Sequence, residues 1–302
     1  MSVAPDAQVV LPAVPALAGV YARAGAAAAR LALARRRGAA PDELPHLAYT
    51  VRGVAVDPAR LSAYQGLLGL RTADRLPAGF VHVLAFPLAG ALMARPDFPL
   101  PLAGMLHVAN RVTQRRPLFR DDRLDLQVWA TGMRPHRSGT ALDVVAEARR
   151  AGNDEVAWRG RSTYLARGVR VGSDTPEPDD ERAAWTPPVP TASWRLAADT
   201  GRRYAEVSGD RNPVHLSALT ARPFGFRRAI AHGMYTAGRA LADVGPAAGH
   251  AFVWTAQFVA PLPLPVTAAV RVAPEGDGYG YAVWQPGSRR PHLLGDVSPL
   301  TS

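Results

Sequence analysis

The sequence predicts an α+β fold in which one arrangement, a helix followed by a series of strands, occurs twice. In the first half, the apolar run from Phe80 to Ala94 predicts a buried helix, and strand-like stretches separated by Gly and Pro turns follow it. In the second half the same order recurs after a helix predicted over 233–244. A helix packed on one face of an antiparallel sheet is an α+β arrangement. The repetition predicts two such layers in one chain.

The first half begins with an extended, Pro- and Val-rich arm over residues 1–15. The Ala- and Arg-rich stretch 17–37 favours a helix that ends at Gly38, with its Arg side chains on a solvated face. Asp57-Pro58 predicts the start of a further helix, with Asp57 as the N-cap. The strands predicted in this half are 44–56, 105–112, 123–131, 141–149 and 155–167.

A change of composition over residues 171–192, where Ser, Asp, Glu and Pro dominate, predicts a linker between the halves. A length of 302 residues fits one large domain or two smaller ones. We therefore divide the chain into an N-terminal arm and helix (1–40), a first half (41–170), the linker (171–192) and a second half (193–302).

The second half starts at the strand-like residues 194–196, and a helix is predicted over 199–208. Asn212 and Pro213 are typical of the N-cap and first residue of a short helix, because Pro needs no amide partner there. The central helix over 233–244 ends at Gly245. The strands predicted after it are 252–259, 266–272, 279–284 and 293–296.

Composition excludes several classes of chemistry. The chain has no Cys, so disulfides, thiolate nucleophiles and Cys-based metal sites are absent. It has no Lys either, which removes Schiff-base chemistry and the P-loop lysine. The eight His residues are dispersed and show no ligand-like spacing with carboxylates, so no metal site is predicted. No Gly-rich phosphate loop or nucleophile elbow occurs, and no redox cofactor is implied.

A net charge of +10 is typical of proteins that bind nucleic acid, but the Arg residues are scattered and no nucleic-acid-binding motif accompanies them. The remaining explanations of the positive charge are a solvated basic surface and attraction to an anionic substrate carrier. The apolar run 80–94 is too short to span a bilayer, and the N-terminal stretch lacks the order of a secretory signal. We expect no nucleic acid, no membrane and a cytoplasmic location.

The stretch from Tyr204 to His232 carries the chemistry. Ser208, Gly209 and Asp210 form a tight polar turn, which brings Asp210 and His215 towards one spot. A carboxylate and an imidazole that share a site can divide acid and base work. For an isolated pair, the alternative that the Asp caps the turn and the His packs against the next element is the more common outcome.

The whole string resembles the MaoC-like, hydratase 2 family of (R)-specific enoyl-thioester hydratases and 3-hydroxyacyl dehydratases. Residues 225–226 and 230–234 are similar to that family's continuation into its central helix. The resemblance implies a double hot-dog fold in which only the second half keeps the motif. The matching positions are Tyr204, Val207, Ser208, Gly209, Asp210, Asn212, Pro213, Val214 and His215.

The resemblance also implies the roles of these residues. Asp210 and His215 correspond to an acid/base pair that holds a water molecule, with the assignment of acid and base left open. Asn212 and Ser208 either orient the loop or carboxylate by hydrogen bonding or are only local caps. The Gly233 amide corresponds to the donor to the thioester oxygen at a helix N-terminus, or the residue is Gly only for close packing.

Outside this group, His232 is expected to be structural. Arg222, Arg227 and Arg228 are candidates for contacts with carrier phosphates, with a solvated surface as the alternative. After the motif His many relatives continue with an acidic residue, whereas Leu216, Ser217 and Ala218 follow here. We expect this departure to alter the segment covering the pocket and, with it, the choice of acyl chain.

The resulting hypothesis is an enzyme that hydrates trans-2-enoyl-CoA to the (R)-product, or dehydrates (3R)-hydroxyacyl thioesters, in fatty-acid-type metabolism. Its partners are acyl-CoA or an acyl-carrier-protein thioester as substrate, without another cofactor, and a second copy in a possible homodimer. The alternative is a non-catalytic acyl-thioester-binding or partner subunit of the same fold. A hot-dog thioesterase does not explain the intact motif.

Overall fold

In the computed structural model, residues 5–102, 104–171, 185–288 and 290–300 are described. The chain folds into two compact units built from alternating segments. Unit 1 takes the described residues within Met1–Ala55, His82–Val108 and Asp122–Glu181. Unit 2 takes those within Val56–Val81, Ala109–Asp121 and Arg182–Ser302. Residues 172–184 of the predicted linker lie outside the described residues.

Unit 1 combines helices with a mostly antiparallel sheet. Helix α1 (Leu17–Arg36) ends one residue before the predicted bound, and Val20 packs against Gly90 of α3 (Ala78–Met93). The described strands of this sheet are β1 (Gln8–Val10), β2 (Ala48–Val54), β4 (Leu124–His136), β5 (Gly139–Arg150) and β6 (Trp158–Arg167). They run in the order β1-β2-β4-β5-β6, with β1 parallel to β2 and the other neighbouring strands antiparallel. Residues 82–93 of α3 face β5 and β6 across a small cavity lined by Phe86 and Trp158.

Unit 2 has the same two layers. Helix α6 (Gly233–Val244) lies against an antiparallel sheet in the order β8-β11-β10-β9-β7, and residues 109–114 of β3 (Met105–Gln114) pair with β8. The strands β7 to β11 span Ala192–Leu196, Phe252–Phe258, Val266–Glu275, Gly278–Trp284 and Leu293–Pro299. Two units of helix and sheet in one chain confirm the predicted α+β, double hot-dog fold class.

Short helices position the motif in unit 2. Helix α2 (Pro58–Leu67) begins after Asp57, whose carboxylate accepts a hydrogen bond from the Ala59 N–H at 2.9 Å, as the N-cap prediction requires. Helix α2 packs on α4 (Thr200–Ser208). A 3-10 turn over Pro213–His215, helix α5 (Ala218–Ala221) and a second 3-10 turn over Arg222–Phe224 then lead towards α6.

None of the helices in the described part of the chain combines the length and the hydropathy that a membrane crossing needs.

Candidate active site

The loop that carries Asp210 begins with a reversal of the chain at the end of α4. Gly209 follows the last helical residue with φ of 78°, and its N–H donates to the Ala205 carbonyl at 2.8 Å. This left-handed conformation is readily adopted only by a residue without a Cβ. The Gly in the motif therefore turns the chain sharply and places Asp210 immediately beyond the helix end.

Side chains within the motif hold this loop by short-range hydrogen bonds. The Asp210 N–H donates to the Ser208 hydroxyl oxygen at 3.1 Å, and the Asn212 N–H donates to Asp210 Oδ1, also at 3.1 Å. Asn212 in turn accepts from the Val214 N–H at 3.4 Å and caps the 3-10 turn. Ser208 and Asn212 thus act as local caps, and through them the loop and the Asp210 carboxylate are oriented.

His215 lies at the end of the 3-10 turn, close to α4. A Cβ at position 201 would overlap the His215 carbonyl oxygen, so Gly201 permits this approach. The Nδ1 atom of His215 lies 2.8 Å from the Ile230 carbonyl oxygen, which can only accept, so Nδ1 carries the hydrogen. Burial lowers the pKa of His215 below its usual value. At neutral pH the ring is therefore neutral, and Nε2 offers a lone pair.

His232, the N-cap residue of α6, supports both groups. Its ring stacks on that of His215, and its Nε2 lies 2.9 Å from the Asp210 carbonyl oxygen, to which it donates. Burial, and secondarily the charge of His215, lower the pKa of His232 to about 3. The 3.8 Å distance from Nε2 to the Asp210 carboxylate is consequently not an ion pair at neutral pH. His232 is a neutral support, in line with the structural role expected for it.

One ligand-type atom from each of Asp210, His215 and His232 lies within 4.8 Å of the other two. Spacing along the chain does not show this convergence, because the third group comes from a residue 22 positions after Asp210. Nε2 of His232, the atom nearest the carboxylate, is unsuitable as a metal ligand because it carries a hydrogen that it donates to the Asp210 carbonyl oxygen. A carboxylate and one free imidazole nitrogen remain, and these suit proton transfer better than metal binding.

The start of α6 lies beside this cluster. Gly233 is its first residue, and the first N–H groups of a helix have no intrahelical acceptor. A Cβ at Gly233 would approach the Phe258 ring to 2.7 Å. Close packing alone therefore requires a Gly here, whatever the amide binds.

The three Arg candidates lie further along the chain, in and after the turn over Arg222–Phe224. Arg222, Arg227 and Arg228 are all exposed. Arg228 makes a long hydrogen bond from Nη1 to the Pro265 carbonyl at 3.4 Å. Their exposure agrees equally with a solvated basic surface and with contacts to an anionic carrier.

Sequence reasoning missed Arg60 of α2, which the fold of unit 2 brings to the end of α4. Its guanidinium donates from Nε to the Val207 carbonyl at 2.7 Å and from Nη2 to the Ser208 carbonyl at 3.1 Å. These groups are 147 and 148 residues apart along the chain. The prediction placed α2 correctly, but no local pattern shows which helix it packs on.

Comparison with known proteins identifies the family of the chain. The profile of the family described as "MaoC like domain" matches residues 180–281, which include the whole motif. The 3-hydroxyacyl-thioester dehydratase X of Mycobacterium tuberculosis is 35% identical over 259 residues, covering 86% of this chain and 91% of that protein. The 3-hydroxybutyryl-CoA dehydratase of Methylorubrum extorquens is 49% identical over 65 residues, 20% of this chain and 40% of that protein.

Solved structures show the same relationship. The crystal structure of HtdX of Mycobacterium tuberculosis is similar with a TM-score of 0.74 and 32% identity, covering 84% of this chain and all of that one. A MaoC-like dehydratase from Phytophthora capsici has a TM-score of 0.66 at 16% identity, which shows the shared fold. It covers 87% of this chain and 97% of that one. The chain is thus an enzyme of the hydro-lyase class and belongs to the MaoC-like dehydratase family.

Proposed function

We propose that the enzyme catalyses the reversible hydration of a trans-2-enoyl thioester to a (3R)-3-hydroxyacyl thioester. The observation that carries this proposal is the convergence of the Asp210 carboxylate with a neutral His215 whose tautomer is fixed by Ile230. The similar proteins of Mycobacterium and Methylorubrum are a 3-hydroxyacyl-thioester dehydratase and a 3-hydroxybutyryl-CoA dehydratase, which supports this substrate class. The acyl group is carried by coenzyme A or by an acyl-carrier protein.

In the hydration direction, a water molecule between Asp210 and His215 donates hydrogen bonds to the carboxylate and to Nε2. Either the Asp210 carboxylate or the His215 Nε2 takes a proton from this water as the water oxygen forms a bond to C3. The electrons of the C2=C3 bond move towards the thioester carbonyl, and the pair then supplies a proton to C2. The net result is addition of H and OH. In dehydration the same groups exchange roles, with water as the leaving group.

The negative charge that develops on the thioester oxygen needs a hydrogen-bond donor. The N–H of Gly233, at the N-terminus of the 12-residue helix α6, fits this need because it lacks an intrahelical acceptor and the helix dipole favours negative charge there. Proton transfer and oxyanion stabilisation complete the reaction with the thioester alone, so we propose no further cofactor.

Loss of the enoyl-thioester absorbance on mixing enzyme with crotonyl-CoA, and separately with a medium-chain enoyl-CoA, tests the proposal. Chiral analysis should identify the (R)-3-hydroxyacyl product. Formation of the (S)-product, or no turnover of CoA-linked and carrier-linked substrates of either length, would contradict it. A non-catalytic thioester-binding role would then require binding without turnover, against which the retained acid/base pair argues.

A further inference from the structure

The carbonyl groups at the end of α4 stand directly before the loop 209–212, which presents Asp210. The last four carbonyls of a helix have no intrahelical partner. The Ala205 carbonyl accepts from the Gly209 N–H. The Val207 and Ser208 carbonyls accept from Arg60, at 2.7 Å and 3.1 Å. Arg60, which lies on α2, thus caps the C-terminal end of α4 where the loop 209–212 begins.

The contact is built into the packing of α2 on α4. Arg60 and Tyr64 are four residues apart and share one face of α2. The Tyr64 ring centroid lies 6.3 Å from that of Tyr204 on α4, so this face of α2 meets α4. Arg60 is half-buried, and the nearby Asp57 attracts its charge. A cation at a helix C-terminus is also favoured by the helix dipole.

We propose that Arg60 is a positioning residue that fixes the loop 209–212 and so aims the Asp210 carboxylate at the site it shares with His215. Arg60 touches no reacting atom and acts through the backbone of Val207 and Ser208. Two donors in a rigid planar fork hold two successive carbonyls, which a Lys cannot do simultaneously with the same geometry. The catalytic part of this inference rests on the proposed function, whereas the loop order does not.

Hydrogen–deuterium exchange of the full-length protein measures loop order without turnover. In Arg60→Gln, amides of residues 209–215 should exchange about tenfold faster, because the bonds that fix the end of α4 are lost. Amides of α6 should be unchanged. Arg203→Gln is the matched control, since Arg203 is exposed on α4 itself. Unchanged exchange in the loop, or an equal rise throughout unit 2, would overturn the proposal.

Kinetics then test how Arg60 acts on catalysis. Arg60→Gln should lower kcat by roughly 10- to 100-fold, as small misplacements of a catalytic group do, with KM changed by less than about threefold. The kcat of Arg60→Lys should lie between that of the wild type and that of Arg60→Gln. In an Asp210→Asn background, adding Arg60→Gln should lower kcat little further, because both changes remove the same function, that of the Asp210 carboxylate. A fully multiplicative loss would overturn the positioning role, and the exchange data decide the loop role even if no substrate is turned over.

Discussion

The imidazole rings of His215 and His232 stack with centroids 3.7 Å apart and an angle of 25° between their planes. The two rings donate to different backbone carbonyls. Nδ1 of His215 donates to the Ile230 carbonyl, whereas Nε2 of His232 donates to the Asp210 carbonyl. Burial lowers the pKa of both, and a second positive charge in the stack would be repelled. The stack therefore keeps both rings neutral at physiological pH.

The first prediction concerns stability at mildly acidic pH. His232 has a pKa of about 3 in the folded protein and 6.5 as a free side chain. Between these values the unfolded chain binds a proton that the folded chain does not. The contribution of His232 to the free energy of unfolding is therefore fully present above pH 6.5. It is lost as the pH decreases, by up to about 1.4 kcal/mol per pH unit for each such His. Urea unfolding at pH 7.0, 6.0 and 5.5 measures this slope.

His232→Gln is the matched variant for this measurement, because the Gln amide keeps a donor for the Asp210 carbonyl but does not titrate. Its absolute stability will differ from that of the wild type, so the slopes are compared. We expect the slope to decrease by close to one proton. Identical slopes in the two proteins would show that His232 titrates in the folded state as freely as in the unfolded chain.

A second prediction tests the acid/base pair. Asp210→Asn and His215→Ala should each lower turnover by at least roughly 100-fold, the scale of lost acid/base catalysis. Both variants should remain folded, since neither side chain is fully buried. Near-normal rates in folded protein would exclude the assignment. Because burial lowers the pKa of His215, the acidic limb of kcat/KM in the hydration direction should lie below pH 6.5.

Much of the fold was accessible from local sequence signals. The central helix was predicted over 233–244 and has those bounds, because an apolar face is closed by Gly at both ends. The Asp57 cap and the short helix after Asn212 were likewise predicted, since capping depends on neighbouring residues only. The motif also predicted that Asp210 and His215 lie together, because the reversal at Gly209 is local.

Long-range pairing was not accessible in the same way. The segment 56–81 belongs to the compact unit that carries the motif, although it precedes the motif by well over 100 residues. Nothing in the sequence near Arg60 indicates that its guanidinium meets the end of α4. The contact of Gly233 with Phe258 depends similarly on how α6 lies on β8. Such contacts are set by tertiary packing, which a single sequence does not encode in any local pattern.

A third prediction concerns the close approach of α4 to the His215 turn. Gly201→Ala would place a methyl group against the His215 carbonyl, and backbone cannot rotate aside as a side chain can. We expect a loss of about 1–3 kcal/mol in unfolding free energy and reduced turnover, since His215 must shift. Gly66→Ala in α2 is the control, because its Cβ meets nothing within 4 Å. That variant should be neutral or slightly stabilising, and equal losses in both would contradict the steric argument.

A fourth prediction separates the two reasons for a Gly at position 233. Gly233→Ala keeps the amide N–H but brings a Cβ within 2.7 Å of the Phe258 ring. We expect it to lower stability and activity together. Adding Phe258→Leu should relieve the overlap and restore much of both. If stability returns but turnover does not, the space at Gly233 is needed by the substrate and not only by packing.

The last prediction concerns the exposed residues Arg222, Arg227 and Arg228. If they meet the phosphates of coenzyme A, changing all three to Gln should raise KM for an enoyl-CoA several-fold while kcat stays nearly constant. The salt dependence of KM should also weaken, because exposed charges act over roughly 10 Å at 0.1 M salt. The matched substrate is an enoyl-pantetheine thioester, which lacks those phosphates. Its KM should be the same for the wild type and the triple variant, and an equal rise for both substrates would contradict a phosphate contact.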